Sequence, residues 1–166
     1  MSAVVLNVED SFDDIVLLKH ACQKAETSFD LRVAEDGEIA TDYFLGRGEY
    51  SDRAKHPLPN LVLLDLNMPR KNGFEVLTML KQSTQLQNIP VAIFTSSTNE
   101  DDVRRAISSG ADCYLVKPLS HKGLISLMQH LDDLLQGQEP LSSALAKVPQ
   151  CYTRKQGTQS LTPGVG

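Results

Sequence analysis

Apolar residues along the chain fall into two alternating patterns. Short β-rich runs occur at Val4-Val5-Leu6-Asn7-Val8, Leu31-Arg32-Val33, Leu61-Val62-Leu63-Leu64, Val91-Ala92-Ile93-Phe94 and Cys113-Tyr114-Leu115-Val116. Three of these are almost uninterrupted, as expected of parallel strands buried on both faces. Between the runs the spacing changes to three and four. Ile15, Leu18, Cys22 and Ala25 follow it, as do Val76, Leu77 and Leu80; Val103, Ala106 and Ile107; and Leu124, Leu127, Leu131, Leu134 and Leu135. That spacing places each set on one helical face. Five strands alternating with five helices predict an α/β fold: a doubly wound five-stranded parallel sheet, (βα)5, in the flavodoxin-like order 2-1-3-4-5.

Local signals agree. Ser11 precedes Asp14 at capping distance, and Ser97 or Thr98 is expected to cap a helix whose first turn carries Glu100, Asp101 and Asp102. Gly110 stands where a residue of positive φ would close that helix. Gly46 to Asn60, with Pro57 and Pro59, reads as a long surface connection. No internal repeat is found.

Composition changes the picture only near the end. From Gly137 to Gly166, 17 of 30 residues are Gly, Pro, Ser, Thr or Gln. We therefore expect a folded domain over 3–135 and a flexible, solvated tail over 136–166. A docking arm, with Leu141, Leu145 and Val148 as a short apolar stripe, is the sharper alternative. The whole chain of 166 residues carries a formal charge of −5, which argues against nucleic acid as a partner. No apolar run nears the ~20 residues of a membrane span, and no signal peptide opens the chain, so a cytoplasmic location is expected. Cys22, Cys113 and Cys151 form an odd count without metal-like spacing and suit a reducing compartment. His20, His56, His121 and His130 likewise lack metal-like spacing, and His20 makes a poor phosphotransfer donor.

In an open parallel sheet the functional crevice lies beyond the carboxyl ends of the strands. Strand one ends in Glu9-Asp10, strand three in Asp65, strand four in Thr95-Ser96 and strand five in Lys117. Taken singly, each has a bland explanation: dipole partners for the first helix, a capping hydroxyl, a solvated turn lysine. None of these explains the set. Two carboxylates ~4 Å apart repel by about 4 kcal/mol at an effective dielectric of 20, and one lysine offsets only part of that. Such a cluster wants a hard divalent cation bound through oxygen, and Mg²⁺ fits. Asp65, on the central strand, is then placed to attack phosphorus and become an aspartyl phosphate.

The residues Val8-Glu9-Asp10-Ser11, Leu64-Asp65-Leu66-Asn67-Met68-Pro69, Asn72-Gly73, Phe94-Thr95-Ser96 and Tyr114-Leu115-Val116-Lys117-Pro118 resemble the receiver domain of two-component response regulators. The resemblance spans 3–135. Glu9-Asp10-Ser11, the Gly46–Asn60 connection and the run Asn99 to Val103 more narrowly resemble stand-alone receivers associated with bacterial phytochromes and related light- or redox-sensing kinases. The resemblance implies that Asp65 is the phosphoacceptor, that Asp10 binds Mg²⁺ directly, Glu9 through water and Asn67 by its backbone carbonyl. It implies that Lys117 and Thr95 pair with the phosphoryl oxygens and that Thr95 and Tyr114 form the switch. It further implies a cis Lys117–Pro118 bond, output through the face of helix four, strand five and helix five, and a signalling role rather than turnover, with self-phosphorylation and autodephosphorylation only. The partners implied are a sensor histidine kinase, of phytochrome type in the narrower match, a downstream protein and a second copy of the chain.

Two alternatives stand beside this reading: an aspartate-nucleophile phosphomonoesterase and a non-phosphorylated interaction domain. Such hydrolases resemble Asp-x-Asp, whose second acid protonates the leaving group; here that position is Asn67, which cannot act as a general acid. The complete set of acceptor, metal and switch residues speaks against the second.

Overall fold

The computed structural model describes residues 2–149, 151–154 and 161–163. Five parallel strands form where the β-rich runs stand: β1 Val4–Val8, β2 Asp30–Ala34, β3 Leu61–Leu64, β4 Val91–Thr95 and β5 Cys113–Val116. They alternate with α1 Phe12–Ala25, α2 Gly37–Leu45, α3 Gly73–Gln82, α4 Glu100–Ser108 and α5 His121–Gln136. The order is β2-β1-β3-β4-β5, as the sequence predicts, and two further short strands extend the edge beyond β5.

Period-two alternation divides the core between two faces. Val62 and Leu64 of β3 point toward α2, α3 and α4, packing with Phe44, Leu77, Leu80 and Ala106. Leu61 and Leu63 point the other way, toward α1 and α5, with Leu18, Met128 and Leu131. Every residue of β1, β3 and β4 is buried, which explains why their sequences read as continuous apolar runs.

The helix ends follow the sequence with one change. The Ser11 hydroxyl accepts from the Asp14 amide and caps α1. For α4 the cap is Asn99, whose side chain accepts from the Asp101 amide at 2.8 Å, and neither Ser97 nor Thr98 serves. Ser97 is instead spent on Asp102, to which its hydroxyl donates at 2.7 Å. Gly110, at φ 105°, follows the last residue of that helix end. The Gly46–Asn60 connection contains a 3₁₀ turn, Gly48–Ser51, and is pinned by Arg53, whose guanidinium donates to the carbonyls of Tyr43 and Phe44, both at 2.7 Å.

Three expectations are corrected. Described residues of the expected flexible tail are packed: Leu141–Ala144 forms a short helix, α6, and Leu145, Val148 and Cys151 are wholly buried against the α1/α5 face. The apolar stripe of the docking-arm alternative, Leu141, Leu145 and Val148 at spacings of four and three, suffices to seat the segment beside α5. β6, Tyr152–Arg154, then pairs antiparallel with β5 through Tyr114 and Tyr152, and β7, Leu161–Pro163, pairs with β6. Cys113 and Cys151, read as members of an unpaired set, are joined as a disulfide with Cα atoms 6.0 Å apart; Cys22 stays free and buried. The Lys117–Pro118 bond is trans, as are all peptide bonds among the described residues. Trans is the isomer that X–Pro bonds favour by about 0.5–1 kcal/mol.

Candidate functional site

The parallel order brings the ends of β1, β3, β4 and β5 to one edge of the sheet. One carboxylate oxygen from each of Glu9, Asp10 and Asp65 lies within 4.8 Å of the others. Glu9 and Asp65 are buried and Asp10 is exposed, so the cluster opens on one side. Lys117 reaches into it from β5, its Nζ 2.8 Å from Glu9 Oε2 and 3.4 Å from Asp65 Oδ2.

From the sequence, Asp14, on the first turn of α1, has no more than a capping role. It belongs to the site: its Oδ2 is 2.7 Å from Lys117 Nζ. The available signal was its place four residues after Asp10, in the acidic run that opens the helix. Three carboxylates, Glu9, Asp14 and Asp65, thus share one ammonium, with Asp10 beside Glu9 and Asp65. Burial raises the Glu9 pKa to about 7, against the hydrogen bond from Lys117, and neighbouring Asp65 adds to the rise. Burial alone would lower the Lys117 pKa, but the hydrogen bonds to Asp14 and Glu9 and the charge of Asp65 outweigh it and push the ammonium up.

Local hydrogen bonds fix the rest. The Ser11 amide donates to Glu9 Oε1 at 3.1 Å, and the Asn67 amide to Asp65 Oδ1 at 3.3 Å. Gly73, the first residue of α3, packs directly on this strand end. A Cβ there would collide with the Asp65 carbonyl oxygen and stand 2.8 Å from Leu66 Cα, so only glycine allows the approach. Arg70 adopts φ 64°, a left-handed conformation uncommon for a non-glycine residue, and its guanidinium is 3.6 Å from Asp36.

Thr95 ends β4, buried, its hydroxyl accepting from the Ser97 amide at 3.4 Å. Its carbonyl takes the Lys117 amide at 2.7 Å, which fixes the two strand ends together. Tyr114, one strand over, is completely buried and donates its hydroxyl to the Ser97 carbonyl at 2.9 Å. The backbone of Ser97 therefore touches both. Each site residue expected from the sequence stands at this sheet edge, apart from Tyr114, which lies within β5. His20 and His121 form a separate exposed pair, with ring nitrogens 2.9 Å apart.

Residues 5–129 match the response regulator receiver domain family. The chain belongs to that family. It is 39% identical over 129 residues to response regulator Rcp1 of Synechocystis, a match covering 78% of this chain and 86% of the relative. The solved structure of the Mn²⁺-bound form of Rcp1 superposes with a TM-score of 0.72 at 36% identity, covering 82% of this chain and 96% of that one. The phosphorylated cyanobacterial phytochrome response regulator RcpA superposes with a TM-score of 0.75 at 29% identity, over 84% of this chain and 97% of the other. RPA3017, a response regulator in red light signalling of R. palustris, gives 0.74 at 36% identity, covering 78% and 90%.

This chain is thus a receiver domain of the two-component type, related to phytochrome response regulators, and receiver domains take phosphoryl groups from histidine kinases. Mg²⁺ fits the receiver's acidic cluster. The donor set is all oxygen, its charge exceeds what Lys117 offsets, and its exposed member leaves room for water ligands.

Proposed function

We propose that Asp65 is the phosphoacceptor of a phosphorelay. An Asp65 carboxylate oxygen attacks the phosphorus of a phosphohistidine on a sensor kinase. The new P–O bond forms as the P–N bond breaks, and the departing imidazole takes up a proton. The observation that carries this reading is Asp65 itself: a buried carboxylate at the centre of the sheet edge, 3.4 Å from an ammonium and grouped with two further carboxylates.

Asp10, Asp65 and the Asn67 carbonyl would hold Mg²⁺, with Glu9 acting through water. The bound ion supplies positive charge where the phosphoryl oxygens gather. Lys117 neutralises the same oxygens from the other side, and the Thr95 hydroxyl donates to one of them. Thr95 shifts toward the phosphate and Tyr114 holds the inward position. The two act as a switch that reaches the outer face of α4, β5 and α5. Hydrolysis of the acyl phosphate by water resets the protein, with Asn67 and Ser97 beside the path of that water.

The kinase is of phytochrome type, by likeness to RcpA and RPA3017. The receiver unit is 3–135, with 136–166 as an appendage to it. Output is a protein contact, with a downstream target or a second copy, in the cytoplasm. Among the described residues no helix is long and apolar enough to cross a membrane. Intact-mass measurement after incubation with acetyl phosphate and Mg²⁺ tests the proposal. One added phosphoryl group, lost in Asp65→Asn and in excess EDTA, is expected; an undiminished adduct in Asp65→Asn overturns it.

A further inference from the structure

We propose that Cys113 and Cys151 form a redox latch that fastens the C-terminal strand over the switch tyrosine. Cys113 precedes Tyr114 on β5 and Cys151 precedes Tyr152 on β6, and the two tyrosines are register partners. Alternation along β5 puts the cysteine pair on the α1/α5 face and Tyr114 on the opposite face. There the Tyr152 ring meets Tyr114 edge-on, with centroids 6.3 Å apart. The strand therefore grips β5 from both sides, by a covalent bond on one and an aromatic contact on the other. It covers the edge of β5, within the face to which the reading above assigns output; the inference rests on that reading.

Without the bond, the join between β6 and β5 is short. Among the described residues β6 meets β5 through a single register pair, and a cavity of about 160 Å³ remains where Pro149 passes Leu115 and Leu127. β6 and β7 form the hairpin that ends the sheet, and a terminal hairpin with so short a join to its neighbour belongs to the part of a fold that opens locally. Both cysteines are buried when it is docked, so exchange with an outside thiol requires it to open. In a reducing compartment such a bond forms and breaks with the thiol poise. The oxidant is a low-molecular-weight disulfide such as oxidised glutathione. The Cys151 thiolate, carried out on the opened strand, attacks it, forming a mixed disulfide and releasing one glutathione thiolate. The Cys113 thiolate then attacks Cys151 Sγ and releases the second. Two protein thiols lose two protons and two electrons, and one glutathione disulfide gains them. Oxidation holds β6 on β5 and keeps Tyr114 covered; reduction frees the strand and uncovers the β5 edge.

The test uses the full chain equilibrated with oxidised or with reduced glutathione, then alkylated under denaturing conditions. Of its three cysteines, one alkyl group is expected after oxidation and three after reduction. Amide hydrogen exchange over 113–116 and 151–154 is expected to be at least about ten-fold slower in the oxidised protein. In Cys151→Ser and Cys113→Ser the two conditions should give equal exchange. Three alkyl groups in both conditions, a disulfide-linked dimer, or a cross-link that leaves exchange unchanged would each overturn the latch. Acetyl phosphate labelling of the same samples is read separately. Failure there counts against Asp65 as acceptor, whereas alkylation and exchange report on the latch alone.

Discussion

Lys117 and Glu9, 108 residues apart in the chain, meet at 2.8 Å with both side chains largely shielded from water. The strand order makes this possible: β1 and β5 flank the β3–β4 pair, and a lysine just past the end of β5 can reach back across it. The contact sets the electrostatic state of the site. Lys117 is shared among Glu9, Asp14 and Asp65, so no carboxylate is fully neutralised.

That incomplete balance predicts a stability effect of opposite sign with and without metal. Asp10→Asn removes an exposed member of the cluster. It should raise the stability of metal-free protein by about 1 kcal/mol, since it relieves like-charge repulsion in a largely solvated setting. It should also abolish most of the rise in Tm that Mg²⁺ gives the wild type by mass action. Thermal melts of both proteins in EDTA and in Mg²⁺ check both signs.

Glu9 makes the metal-free protein pH-sensitive. Its folded pKa of about 7 lies above the ordinary 4.5, because burial disfavours the charged form. Below about pH 4.5 both folded and unfolded chains hold the proton, and Glu9 contributes nothing. As pH rises toward 7 the unfolded chain releases the proton first, so stability falls; above 7 the loss is complete and constant. Mg²⁺ favours the ionised form, so its affinity should climb as pH rises to about 7 and then level off. Titrations at pH 5.5, 7 and 8.5 would show this, and Glu9→Gln should flatten the part of the slope nearest pH 7.

Gly73→Ala should cost about 1–3 kcal/mol, the usual penalty for forcing a methyl into a packed site. The added Cβ must displace the Asp65–Leu66 backbone, so phosphoryl labelling should fall along with stability. Urea unfolding gives the first quantity and intact mass the second.

Tyr114→Ala separates acceptance from signalling. Its ring is wholly buried and its hydroxyl holds the Ser97 carbonyl, so truncation should cost about 3–5 kcal/mol. Its hydroxyl bonds to Ser97 rather than to Asp65, which should still be labelled. Phosphate-dependent changes in hydrogen exchange, expected in wild type over 99–135, should be lost. Changes confined to α2 and α3 in the wild type would contradict the assignment of the output face.

The fold was legible where burial is two-sided. β3 and β4 read directly from Leu61–Leu64 and Val91–Phe94 because every residue there is buried. The site was legible because parallel topology converts strand ends into neighbours, which places Glu9, Asp10, Asp65 and Lys117 together from the strand order alone. Asp14 escaped because a carboxylate on a first helical turn already has a dipole to satisfy. The stripe of Leu141, Leu145 and Val148 is visible in the sequence, but three apolar side chains in a segment rich in Ser, Pro and Gln do not by themselves say what they pack against, and the seat beside α5 emerges only in the fold. β6 and β7, three residues each, are too short to carry a period at all.

The most direct measurement of the central claim locates the acyl phosphate chemically. Borohydride converts an aspartyl phosphate to homoserine, which peptide mass mapping assigns to a position. After treatment with acetyl phosphate and Mg²⁺, the account predicts homoserine at residue 65 and nowhere else. Homoserine at Asp10 or Asp14 with Asp65 intact, or none at any position in a protein that binds Mg²⁺, would contradict it.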